Sequence, residues 1–141
     1  MRVVEIKKHG GPEVLYIGSR PVPKPKKNEV LIKVKAAGIN RPDILQREGE
    51  YPPPKGVSNI LGLEISGEVV ELGKKTKNIK IGDKVCALVS GGGYSEYCLA
   101  PYSQCLSIPN NMSFEEASTI PETFFTVWFN LFIRSKIKKR K

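Results

Sequence analysis

The sequence predicts a mainly β domain with short helices, a barrel or sandwich rather than a layered α/β fold. Three observations predict it. Short runs of alternating apolar and polar residues recur through the N-terminal two thirds of the chain. Thirteen glycines and eleven prolines punctuate them, as turns between short strands require. Apolar residues at helical spacing appear only after Ser113, so the helices are few and late.

Val3, Val4 and Ile6 favour a strand over Arg2–Lys7, and His9-Gly10-Gly11-Pro12 is a turn by composition. Val14–Ile17 is extended again and able to pair with the first segment as a hairpin-like unit. His9 is the one histidine and reads as a surface turn residue, so no Ser-His-Asp or Cys-His arrangement can be built on it. Pro21–Asn28 is a Pro-rich, extended, exposed connector. Glu29–Ala37 is the clearest strand: Val30, Ile32, Val34 and Ala36 share one face, and Glu29, Lys33 and Lys35 the other. Leu31 interrupts the polar face and predicts that it is partly covered.

Pro42–Arg47 reads as a short helical turn, started near Asn40 or Arg41 and stopped near Gly49. Ile60–Leu63 and Glu64–Leu72 read as strand. The alternation slips at Val70-Glu71-Leu72, which predicts a bulge. Gly67 inside that strand predicts close approach by another backbone. After a polar turn over Gly73–Lys80, strands are predicted at Lys84–Val89 and, beyond Gly91–Gly93, at Tyr94–Ala100.

Ser113-Phe114-Glu115-Glu116 has the Ser-x-x-Glu spacing of a capping box, and Thr119-Ile120-Pro121-Glu122 repeats it. From there Phe124, Val127, Trp128, Leu131 and Phe132 form one stripe of a helix over Ile120–Phe132. Phe125 and Phe129 make a second side apolar. A helix of this kind needs cover: the ordinary expectation is a place in the core, otherwise a second subunit or domain.

The 141 residues suit one domain able to bury a core without staples. Six of the nine net positive charges lie in Arg134–Lys141, which contains no acid. The body is therefore only mildly basic, and the tail reads as a solvated end rather than a nucleic-acid contact. The three cysteines, Cys86, Cys98 and Cys105, match no metal-ligand spacing. No secretory leader and no apolar run of about 18 residues is apparent, which leads to the expectation of a reducing, cytoplasmic compartment and no membrane span.

Seven motifs in unbroken order resemble the medium-chain dehydrogenase/reductase superfamily. They are Gly10–Glu13, Ala37–Asp43, Gly49–Pro53, Leu61–Gly67, Gly82–Val85, Gly92–Tyr97 and Ile120–Thr126. Within it the chain is most similar to the zeta-crystallin-like NADPH:quinone oxidoreductases, over residues 1 to about 132. The resemblance implies a GroES-like catalytic domain over residues 1–132, a partly open β-barrel, followed here by a basic tail over 133–141. It implies NADPH as cofactor, a quinone or activated enone as substrate, and a homo-oligomer. In that family a Rossmann domain follows the interdomain helix. Here the expectation is the catalytic domain without it, as a fragment or a shortened reading frame.

Matched residue by residue, the resemblance puts Asn40, Asp43 and Thr126 beside the nicotinamide and Tyr51 at the reacting end. The residue types suit the task. An amide and a hydroxyl orient a carboxamide by neutral hydrogen bonds, and a phenol donates to a quinone oxygen. Asp43 is equally suited to cap the short helix or anchor its loop. Zinc-dependent relatives in this superfamily place Cys near Asn40 and Gly-His-Glu near Gly62-Leu63-Glu64. Asn and Leu at those positions argue against a metal. Two further readings stand beside the first: an enoyl reductase of the same superfamily, and a non-catalytic GroES-like module that associates through its C-terminal helix and basic tail.

Overall fold

A computed structural model describes residues 1–137 of the chain. The predicted N-terminal pair forms: β1 (Arg2–Ile6) and β2 (Leu15–Ser19) run antiparallel with Val4 opposite Ile17. Exposed His9 lies in the connecting turn. The remaining strands are β3 (Glu29–Ala37), β4 (Glu64–Leu72), β5 (Lys84–Leu88), β6 (Tyr97–Pro101) and β7 (Cys105–Ser107). They make one antiparallel sheet in the order β6-β3-β4-β5-β7. Its two edge strands are joined by the single turn Tyr102–Gln104. A sheet whose edges are that close in sequence must curl on itself, so its inner face closes on a barrel-like core. Val30, Ile32, Ile65, Val69, Val85, Ala87, Cys98 and Ala100 fill that core.

Two features of the central pair β3–β4 follow from the sequence pattern. The pairing passes from Leu31↔Glu71 to Ile32↔Val69, which leaves Val70 unpaired at the predicted bulge. Gly67 lies opposite Val34, and a Cβ there would come within 2.2 Å of the Lys33 carbonyl oxygen. A second irregularity, between Val34 and Ala36, was not legible from alternation. Leu31 is buried although it lies on the polar face, as its position predicts.

The segment Ile60–Leu63 is not a strand. Gly62 has φ +98°, which a ladder does not tolerate. The segment pairs locally with the glycine loop instead: the Gly92, Gly93 and Tyr94 N–H groups donate to the carbonyls of Ile60, Gly62 and Leu61. The strand predicted at Tyr94–Ala100 begins only at Tyr97, because Tyr94–Glu96 exchange backbone bonds with β1. Strand β7 escaped sequence reading, since three residues are too short to show alternation.

Helix α1 (Arg41–Glu48) has Asn40 at its N-cap and Gly49 past its end at φ +89°, where a side chain is disfavoured. Helix α2 (Phe114–Ala117) begins with the predicted capping box: the Ser113 hydroxyl accepts from the Glu116 N–H at 3.1 Å, and the Glu116 carboxylate from the Ser113 N–H at 2.8 Å. Helix α3 (Pro121–Trp128) does not use the second box. The Thr119 hydroxyl donates to the Glu116 carbonyl, and Ile120 occupies the N-cap position without a side-chain bond.

Beyond Trp128 the chain continues as a π-helical turn over Phe129–Arg134, with the Ser135 N–H donating to the Asn130 carbonyl at 2.9 Å. The core position expected for the apolar stripe is not taken up. Phe124 and Trp128 are 64% and 60% exposed, because the barrel interior is already filled by strand residues. Of the basic tail, Lys138–Lys141 lie outside the described residues.

Candidate functional site

The end of α1 sets the mouth of a cleft. The Glu50 and Tyr51 N–H groups both donate to the Leu45 carbonyl, which folds the loop back over the last turn of the helix. Pro52-Pro53-Pro54 then keeps the chain extended. Tyr51 is thereby held half-exposed on one side of a cleft of about 440 Å³. Thr126 and Phe125 of α3 line the same cleft, together with the apolar Leu63 and Val89. The Val89 N–H donates to the Leu63 carbonyl at 2.8 Å, which fastens the end of β5 to the start of β4.

Asn40 and Asp43 do not line this cleft. They belong to a buried polar network behind it. Asp43 is 3% exposed. Its Oδ2 accepts from the Asn40 N–H at 2.8 Å and the Tyr94 hydroxyl at 3.0 Å, and its Oδ1 from the Gly62 N–H at 3.0 Å. The carboxylate thus joins the start of α1, the approach to β4 and the glycine loop. The Tyr94 hydroxyl also reaches the Gly38 carbonyl at 3.3 Å. Burial, then the charge of Asp43, raises the Tyr94 pKa, so this phenol stays a donor.

The Asn40 side-chain amide donates to Glu64 Oε1 at 2.9 Å. Glu64 is 2% exposed, and its Oε2 accepts the Glu122 N–H at 2.9 Å in the first turn of α3. Glu64, Tyr94 and Glu122 appear in the sequence reading only as members of separate motifs, Glu122 as half of a second capping box, and nothing local marks them as parts of one network. Their relation exists only once β4, α1 and α3 are packed together.

Metal-ligating chemistry is poorly served. The Asn40 amide is engaged as a donor, and Leu63 offers no ligand atom. Among the described residues no group of three or more His, Cys, Asp or Glu side chains is placed to hold a metal. Cys98 is buried in the core, and burial pushes its thiol up to about 12.

A nicotinamide ring fits the cleft on two grounds: an apolar wall for the ring and the Thr126 hydroxyl for a polar substituent. A pyrophosphate finds no matching cradle in the glycine loop, because the Gly92 and Gly93 N–H groups are already donated within the domain.

This architecture is shared. The alcohol dehydrogenase GroES-like domain matches residues 26–110, which include β3, α1, β4, β5, β6 and β7. The chain belongs to that family. It is 36% identical over 132 residues to mouse (Mus musculus) synaptic vesicle membrane protein VAT-1 homolog-like, covering 94% of this chain and 32% of the relative. It is 34% identical over 130 residues to the quinone oxidoreductase of Lama guanicoe, covering 91% and 39%. The crystal structure of Escherichia coli quinone oxidoreductase complexed with NADPH superposes with a TM-score of 0.84 at 35% identity, over 98% of this chain and 42% of that one.

This GroES-like domain therefore spans about a third of the length of the curated relatives it matches. Its kinship with quinone oxidoreductases and VAT-1 proteins of the medium-chain dehydrogenase/reductase superfamily bears out the expected fold, mainly β with short helices. Among the described residues every strand pair is antiparallel, so they contain no Rossmann-type parallel sheet.

Proposed function

We propose that this chain is the catalytic-domain wall of an NADPH-dependent, zinc-independent oxidoreductase that reduces quinones or activated enones. One observation carries the reading: Tyr51 and Thr126, from separate elements, face one apolar cleft of ring-binding size. The E. coli relative bound to NADPH supports the choice of cofactor. When bound, the reduced nicotinamide supplies the hydrogen and the electron pair that reduce the substrate.

The residues of this chain bind and orient. The Thr126 hydroxyl holds the carboxamide, and the cleft wall of Leu63, Val89 and Phe125 excludes water from the ring. The Tyr51 hydroxyl donates to the substrate carbonyl oxygen as negative charge develops there. Asn40 acts from behind the cleft, where its amide, bonded to Glu64, orients the start of α1. Asp43 acts through the backbone: with its oxygens engaged by three donors, it positions the loops rather than touching the cofactor.

The exposed face of α3 supports a further part of the reading, association into a homo-oligomer that covers Phe124 and Trp128. No helix among the described residues is long and apolar enough to cross a membrane, and a cytoplasmic site of action fits the use of NADPH.

The test is a titration of the 141-residue chain with NADPH and with reduced nicotinamide mononucleotide, alongside quinone-dependent loss of nicotinamide absorbance. Thr126→Val is expected to weaken binding of both by about tenfold. Tyr51→Phe is expected to slow quinone reduction with little effect on cofactor affinity. No binding of either nucleotide, together with no quinone-dependent oxidation, would sink the reading.

A further inference from the structure

The buried carboxylate of Glu64 has no cation against it: none of the ion pairs among the described residues involves it. A carboxylate this deep requires donors, and it has two from elements far apart in sequence. One oxygen takes the Asn40 amide at 2.9 Å, and the other the Glu122 N–H at 2.9 Å. The second bond supplies what α3 lacks locally. Its N-cap residue Ile120 has no side chain able to accept, and Thr119 is turned to Glu116. The helix N-terminus is capped from β4 instead, by an anion at the positive end of the helix dipole.

Glycine at position 38 belongs to the same device. A Cβ on Gly38 would lie 2.1 Å from Glu64 Oε1 and 2.7 Å from its Cδ, so only glycine leaves room for the carboxylate where it stands. Gly38 is not in the left-handed region, so this requirement is steric and not a matter of backbone conformation.

We propose that Glu64 is the positioning residue of the cleft, its single carboxylate setting both the Asn40 amide and the first turn of the helix that carries Thr126. The inference rests on the proposed nicotinamide site and names what holds α3, which carries Thr126, in register with α1, whose end carries Tyr51. The Glu64 carboxylate takes the Asn40 NH₂, which leaves the amide oxygen turned toward the Asp43 N–H in the capping box of α1, so the same carboxylate orients the start of α1 and the start of α3.

Two substitutions reach the anchor by different routes. Glu64→Gln keeps size but offers one acceptor and one donor to two donors, so one of the two bonds is lost. Gly38→Ala leaves Glu64 unchanged and displaces its carboxylate. Two measurements on the 141-residue chain follow each variant: affinity for reduced nicotinamide mononucleotide, and site-resolved amide hydrogen exchange.

The expected result is a loss of about tenfold or more in affinity in both variants. Faster exchange, by a similar factor, is expected at Glu122 and the next residues of α3, while Ile32 and Val69 in the barrel stay protected. Wild-type binding that neither variant weakens overturns the proposal. If the wild type itself does not bind, the nicotinamide reading fails, and exchange alone decides whether Glu64 sets α3. Unchanged exchange at Glu122, or a uniform rise through the barrel, overturns that as well.

Discussion

Removing the Asp43 carboxylate is expected to be among the most damaging single changes outside the barrel core. The group is 3% exposed and serves three donors: the Asn40 N–H, the Gly62 N–H and the Tyr94 hydroxyl. In Asp43→Ala all three lose their acceptor. The Tyr94 hydroxyl retains the Gly38 carbonyl at 3.3 Å, so its loss is partial. The two backbone donors have no alternative and cost about 1–3 kcal/mol each when left buried and unsatisfied. Against this stands the relief of no longer burying a charge, so the net is about 2–5 kcal/mol, below the sum of the orphaned donors at its upper end.

Asp43→Asn separates the contributions. Its amide oxygen can keep the Gly62 bond, and its NH₂ can donate to the Tyr94 hydroxyl while that hydroxyl donates to Gly38. Only the Asn40 N–H is orphaned, so the expected loss is about 1–3 kcal/mol. Urea unfolding followed by far-ultraviolet circular dichroism gives both numbers. An Asp43→Ala protein within about 1 kcal/mol of wild type would refute the reasoning, since native buried donors are not left unpaired without cost. An Asn variant as damaging as Ala would show that charge, not hydrogen-bond count, decides the site.

Three further outcomes are expected. Gly67→Ala drives a Cβ to 2.2 Å from the Lys33 carbonyl oxygen, so β3 and β4 must part; a loss toward or beyond the upper end of the roughly 1–3 kcal/mol overpacking range should appear as a lower urea midpoint. Burial pushes the Cys98 thiol from 9.0 up to about 12. Its raised folded-state value means that its contribution to stability is present below about pH 9 and is lost as pH rises toward 12, which pH-dependent unfolding reads directly; iodoacetamide should spare Cys98 in the native chain and label it on unfolding. The paired change Phe124→Ser and Trp128→Ser removes apolar surface that the barrel does not use. It should leave monomer stability within roughly 0.5 kcal/mol per site while lowering any self-association seen by light scattering, and a collapse of the fold would contradict the exposed placement of α3.

The sequence by itself determined the parts whose cause is local. The alternation of Val30, Ile32 and Val34 places β3 and its buried face, because side chains on a strand alternate by necessity. Ser113 and Glu116 start α2, and Gly49 stops α1, because both signals act on backbone groups within one turn. The bulge at Val70 was visible as a slip in the same alternation. Tyr51 and Thr126, picked out by resemblance, do line one cleft.

The tertiary structure decided what depends on long-range encounters. An apolar stripe announces that a helix has a greasy face, but not that the barrel is full without it, so the exposure of Phe124 and Trp128 was not legible. Thr119-x-x-Glu122 has the spacing of a cap, yet Glu64, 58 residues away, took the Glu122 N–H. Asp43 has the type of a ligand or a cap, and only packing engaged it with Gly62 and Tyr94, out of the cleft. A carboxylate's role is set by which donors reach it, and donors from separate elements meet only when the chain has folded.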